Sequence, residues 1–193
     1  CMGPRLGEWP WNERPMLLIS RPPWLRIKDR FRGHPDGSNL RKELSSQLRE
    51  FKGADGKVRF SAIKGNVNLY RLYMERSLQI SQREGRVRLV VPSSVLREKS
   101  SLPLRKLLVE SNGWDTVWSF PEDSRLLFGG SQGVSVIGIT VGQETDVLTS
   151  FGPLLVDDIS PGRGLSPDDP FLELERGPWS SGPDTSWACP TQP

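Results

Sequence analysis

Two adjacent prolines, Pro22 and Pro23, constrain this chain more than any other feature. They follow closely on Met16-Leu17-Leu18-Ile19, an apolar run that stops at Ser20 and Arg21. Proline has a fixed φ and no amide hydrogen, so two in succession cannot continue a sheet ladder. The run therefore predicts a buried strand over 16–20 that ends in a rigid turn through Arg21-Pro22-Pro23-Trp24. A second β-branched run, Val87 to Val91, lies between Gly85 and Pro92 and predicts another buried strand.

Helical spacing fills the interval. Leu40, Leu44, Leu48 and Phe51 recur on one face over 38–51, with Ser38 or Asn39 as cap. Asn66 or Asn68 caps a second helix reaching about Gln82, which buries Leu69, Leu72, Tyr73 and Ile80. Ser101 caps a third over 102–110, with Pro103 in its first turn and Gly113 beyond its end. Strands over 114–120 and 134–141 follow, separated by a turn at Gly129-Gly130. Alternating strands and helices favour an α/β fold with a parallel sheet, its last two strands closing one edge as a hairpin. Residues 1–15 are expected to be irregular, 16–145 to form the folded unit, and 151–193, rich in Pro, Gly and Ser, to be a disordered tail.

Several function classes are disfavoured. The single histidine, His34, argues against a His-based metal site or triad, and Cys1 and Cys189 form neither a zinc spacing nor a disulfide framework. No metal is expected. No apolar run approaches the ~20 residues needed to span a bilayer, and no signal segment opens the chain, so no membrane partner and a cytoplasmic location are expected. The formal net charge of +3 permits a nucleic-acid partner without requiring one.

The segments carry a resemblance. Leu17 to Trp24 looks like the catalytic motif of amino-group DNA methyltransferases, Asn/Asp/Ser-Pro-Pro-aromatic at the end of a strand. Lys64-Gly65-Asn66-Val67-Asn68-Leu69-Tyr70 is similar to the opening of the next helix in the large restriction–modification adenine methylases. Gly85-Arg86-Val87 leading to Val91-Pro92-Ser93, and then Pro103 to Leu108, follow in that family's order. The resemblance runs from about Leu17 to Val141. It implies a Rossmann-like methyltransferase sheet, here its later strands and helices only, with S-adenosylmethionine as methyl donor and adenine N6 in DNA as acceptor.

By that resemblance the site residues are Arg21, Pro22, Pro23 and Trp24. Adenine must be flipped from the duplex and its amine held by acceptors. The motif's first side chain and the first proline's carbonyl supply these, and the aromatic residue stacks on the base. Pro22 and Trp24 fit those roles. Arg21 does not, because a guanidinium has donors only and stays protonated. Arg26, Lys28, Arg30, Arg32 and Lys64 are the candidate DNA contacts, with a solvated basic face as the competing account of the run.

The family's glycine-rich donor loop precedes the Pro-Pro motif and has no counterpart in residues 1–15. Gly129-Gly130-Ser131-Gln132-Gly133 reads as a hairpin turn. The donor site is therefore expected to be absent, and the chain, opening on Cys1, to be an inactive fragment whose partner is the missing N-terminal half of its domain. The alternatives are a non-catalytic DNA-binding or interaction module, or a decayed gene remnant. Without the earlier strands, those over 16–20 and 87–91 would leave sheet edge or face uncovered.

Overall fold

The computed structural model describes residues 14–51, 59–60, 67–120, 133–144, 146–151 and 171–175. In chain order these form β1 (Leu17–Ser20), α1 (Ile27–Arg30), α2 (Gly37–Glu50), α3 (Leu69–Ile80), β2 (Arg86–Pro92), α4 (Leu102–Glu110), β3 (Gly113–Phe120), β4 (Val134–Thr140), β5 (Val147–Phe151) and β6 (Phe171–Glu175). Two short 3₁₀ turns, Ser93–Leu96 and Lys99–Ser101, join β2 to α4.

Local chemistry accounts for the helix starts. The Asn68 side chain accepts the Tyr70 amide and caps α3, so the helix begins at Leu69. Tyr73, expected on the buried face of this helix, is half exposed. For α2 the cap position falls on Asp36 rather than on Ser38 or Asn39. The helix α4 follows Ser101 with Pro103 in its first turn, where the missing amide hydrogen costs nothing.

The sheet has the order β1-β2-β4-β3-β5-β6. β1 runs parallel to β2 and β3 parallel to β5, while β4 is antiparallel to both β2 and β3, so the sheet is mixed rather than parallel throughout. The expected hairpin of β3 and β4 is present, but it does not close an edge. β4 lies in the interior, between β2 and β3, because its apolar run is shielded on both sides: Ile137, Ile139 and Val134 are buried. The chain is α/β, with a partial Rossmann-like sheet. Phe171–Glu175 departs from the irregular reading of 151–193: this stretch pairs with β5 as strand β6. Its Leu172-Glu173-Leu174-Glu175 alternation is a period-two signal that the flanking Pro and Gly content obscured. The remaining tail residues, 152–170 and 176–193, lie outside the described residues, as do 1–13 and the Gly129-Gly130 turn.

The register separates two faces. Val87, Leu89 and Val91 align with Ile139, Ile137 and Ser135 and, across β4, with Trp114, Val117 and Ser119. This face is covered by Tyr70, Met74 and Leu78 of α3 and by Leu104, Leu108 and Val109 of α4, which form the main core. Each such buried aliphatic side chain contributes about 1.5–3 kcal/mol. The expectation that 87–91 would be uncovered is corrected: β2 is paired on both sides and its three core residues are fully buried.

The opposite face carries Arg88, Val90, Val136, Gly138, Thr116, Trp118 and Phe120. Gly138 is needed there, since a Cβ would collide with Thr116 Oγ1 and the Arg88 guanidinium. That guanidinium lies 3.7 Å from Asp115, whose carboxyl also accepts from Thr140. Burial nonetheless pushes the Asp115 carboxyl above its ordinary range.

β1 is one of the two edge strands among the described residues, β6 being the other. Leu18 packs on the main core, whereas Leu17 and Ile19 point to the second face and are 58% and 71% exposed. The strand expected to be buried is thus only half-buried, and on one face alone. Such an edge favours self-association. Ile19→Lys is expected to suppress aggregation of the isolated chain with less than about 0.5 kcal/mol change in stability. Light scattering checks it, and unchanged aggregation would show that β1 is covered in solution.

Candidate functional site

The Arg21–Trp24 turn stands directly beyond the carboxyl end of β1, beside the carboxyl end of its parallel neighbour β2. Open α/β sheets bind ligands in that position. Pro22 is buried and Pro23 exposed. Trp24 is half-buried: its indole N–H donates to the Val90 carbonyl at 3.3 Å, and its ring packs against the cluster of Phe120 and Val134. The Arg21 guanidinium lies over that ring, 4.7 Å from its centroid. The aromatic surface expected to receive a base is thus covered on one side by a cation, a contact worth about 0.5–1 kcal/mol at an exposed site.

Beyond Trp24 the chain is fastened to the start of α3. Leu25 accepts the Leu69 amide at 2.9 Å, Ile27 donates to Val67 at 3.0 Å, and Arg26 bridges Asn68. A small apolar cluster of Ile27, Val67 and Leu72, with Leu44 and Leu48 of α2 against it, backs this junction. The turn is therefore rigid through backbone pairing as well as through its prolines.

The candidate DNA contacts separate into groups. Arg26, Lys28, Arg30 and Arg32 are all exposed. Arg32 pairs with Asp29 at 3.2 Å, and Arg30 lies over the Phe31 ring at 5.9 Å. Lys28 instead faces an open cavity of about 520 Å³ between α1 and α2. Lys64 lies outside the described residues.

One residue that sequence reasoning passed over positions the neighbouring strand end. Arg105 of α4 is fully buried, and its Nη1 donates to the carbonyls of Val95 and Glu98 at 2.8 and 2.9 Å. Burial lowers its pKa from the usual arginine range. Glu98 in turn pairs with Arg71 of α3 at 2.5 Å. Together these fix the segment that leaves β2. The available signal was an arginine between Leu104 and Leu108 on an apolar helix face.

A family model agrees with this layout. The Eco57I restriction-modification methylase model matches residues 19–127, which is more than half of the chain. The chain belongs to the Eco57I restriction-modification methylase family. No curated protein matches it. Among solved structures, the type IIG restriction endonuclease BpuSI is similar at 16% identity and a TM-score of 0.53, over 83% of this chain and 19% of that one. A chain of a type I restriction–modification system is 16% identical over 72% of this chain and 24% of its own, at a TM-score of 0.45. The M protein of the type I enzyme EcoKI is 16% identical over 61% and 33%, at 0.40. At these identities the likeness concerns the fold, and the BpuSI match is the one that supports it. The chain spans about a quarter of the first of the type I chains and about a fifth of BpuSI.

The donor expected from this family finds no cradle in the described residues. None of their glycines stands between a strand and the helix that follows it: Gly33 lies between α1 and α2, Gly37 opens α2, Gly85 lies between α3 and β2, Gly113 opens β3, and Gly133, Gly138 and Gly142 lie in or beside β4. The described residues do not fit S-adenosylmethionine. Among them there is also no group of three or more His, Cys, Asp or Glu placed to hold a metal ion, and no helix long and apolar enough to cross a membrane.

Proposed function

We propose that this chain is the acceptor-side half of a DNA adenine-N6 methyltransferase of the restriction–modification type, acting in the cytoplasm. The observation that carries the reading is the Arg21-Pro22-Pro23-Trp24 turn at the carboxyl end of β1, with Trp24 anchored on Val90. In this reading the target base leaves the duplex and its N6 hydrogens meet the Pro22 carbonyl and the side chain of residue 21. Trp24 supports the base plane. S-adenosylmethionine would supply the methyl group, held by a donor-binding half other than the described residues.

Arg21 defeats this arrangement in two ways. It offers five donors and no acceptor to an amine that needs acceptors, and it occupies the Trp24 face on which the base would stack. The chain as it stands is therefore inactive. That same contact favours a second reading, a DNA-binding or interaction module that retains the methyltransferase shape without its chemistry.

Trp24 provides the test. In a domain completed with a family donor-binding half and carrying Arg21→Asn, Trp24→Ala is expected to lower kcat/KM, whereas Trp24→Phe keeps most of it. Base–aromatic stacking is worth about 1–3 kcal/mol, a fall of roughly fivefold to 150-fold. Equal losses for Ala and Phe would assign Trp24 to packing alone and remove it from the site.

A further inference from the structure

We propose that α2, together with Lys28, forms a cradle for the phosphate backbone of duplex DNA. The proposal rests on the DNA-binding reading above and extends it to residues outside the Arg26–Arg32 run. Ser38, Arg41, Lys42, Ser45 and Arg49 recur at intervals of three and four along α2, which places them on one helical face. They line the cavity of about 520 Å³ that Lys28 closes from α1. Leu44 and Leu48, on another face of α2, pack inward against Ile27, Val67 and Leu72. The apolar contact thus holds the helix so that its basic stripe faces the opening.

The lining selects its ligand. Four cations converge there, and among the described residues none of Lys28, Arg41, Lys42 or Arg49 forms an ion pair with a carboxylate. Arg41 is steadied by donating Nη1 to the Lys28 carbonyl at 3.3 Å, which leaves its other donors for the opening. At the rim, Glu50 accepts the Ser46 hydroxyl at 2.8 Å. Such a concavity concentrates positive potential, and serine hydroxyls beside Arg and Lys are common phosphate contacts. No carboxylate, amide or aromatic side chain lines it, so its remaining donors are free to meet phosphate oxygens, which carry no sequence information. Lys28 is four residues from Trp24, so the cradle would grip the duplex beside the turn that handles the base.

The test uses the full chain and a fluorescein-labelled 24-base-pair duplex, with anisotropy followed from about 50 to 200 mM salt. Lys42→Gln with Arg49→Gln should weaken binding equally for unrelated duplex sequences and lower the slope of log affinity against log salt by about two. Lys28→Gln, outside the helix, should lower it by about one. Arg83→Gln with Lys106→Gln, matched in charge and exposed elsewhere, should leave the slope unchanged, and circular dichroism confirms that each variant keeps its helices. Unchanged binding by both stripe variants, or an equal loss in the matched control, overturns the cradle while leaving the DNA reading intact. Loss of tripolyphosphate binding without loss of duplex binding also overturns it, because the cavity would then be a small-anion site. A wild-type chain with no affinity for duplex overturns the DNA reading, and the cradle with it.

Discussion

Arg21→Asn is expected to raise methyl transfer by about 10²–10³-fold in a domain completed with a family donor-binding half. The size follows from what one well-placed polar contact at a reacting centre is worth, about 2.7–4 kcal/mol. Asparagine supplies an oxygen that accepts an N6 hydrogen, which the guanidinium cannot do. It also removes a positive charge from beside an amine that grows more positive as it attacks. The structure adds a third effect: without Arg21 over its ring, the Trp24 face is open to a base. Transfer of label to plasmid DNA measures this. Equal rates for the completed domain with Arg21 and for its Arg21→Asn variant would show that position 21 does not touch the amine.

Trp114→Ala should have the largest effect on stability, about 3–5 kcal/mol in the same completed domain. Trp114 is fully buried, at the centre of the face covered by α3 and α4, and pairs across to Ile139 of β4. Removing the indole leaves a void that strands paired on both sides cannot close. Since domains are stable by about 5–15 kcal/mol, the loss consumes a large share. The denaturant midpoint measures it. A shift no larger than that of an exposed substitution would mean that α3 and α4 do not pack on this face of the sheet.

Most elements were legible because their signals are local. The apolar run before Pro22-Pro23, the 40-44-48 spacing of α2 and the proline in the first turn of α4 each depend on neighbours in sequence, and each of these elements forms close to its expected bounds. Strand order was less legible. Nothing local distinguishes a hairpin at an edge from one inserted in the interior, and β4 is placed between β2 and β3 by burial on both of its sides. β6 was obscured because composition was averaged over a segment in which only Leu172-Glu173-Leu174-Glu175 alternate.

The site shows the same division. Arg21, Pro22, Pro23 and Trp24 come together because a rigid turn keeps sequence neighbours adjacent in space. The stacking of Arg21 on Trp24 could not be read from the sequence, as it depends on the rotamers of an exposed cation. Nor could the cavity between α1 and α2, where Lys28 meets Arg41, Lys42 and Arg49 only through tertiary packing. The cations of α2 do stand at helical spacing in the sequence, but its leucines are the stronger periodic signal and they mark the other face.

Adenine N6 is the atom that the completed domain is expected to methylate. DNA treated with the completed Arg21→Asn domain and labelled donor can be digested to nucleosides and resolved by mass spectrometry. Label is expected in N6-methyldeoxyadenosine. Label in N4-methyldeoxycytidine, or in neither nucleoside while the domain is folded and binds DNA, would contradict it.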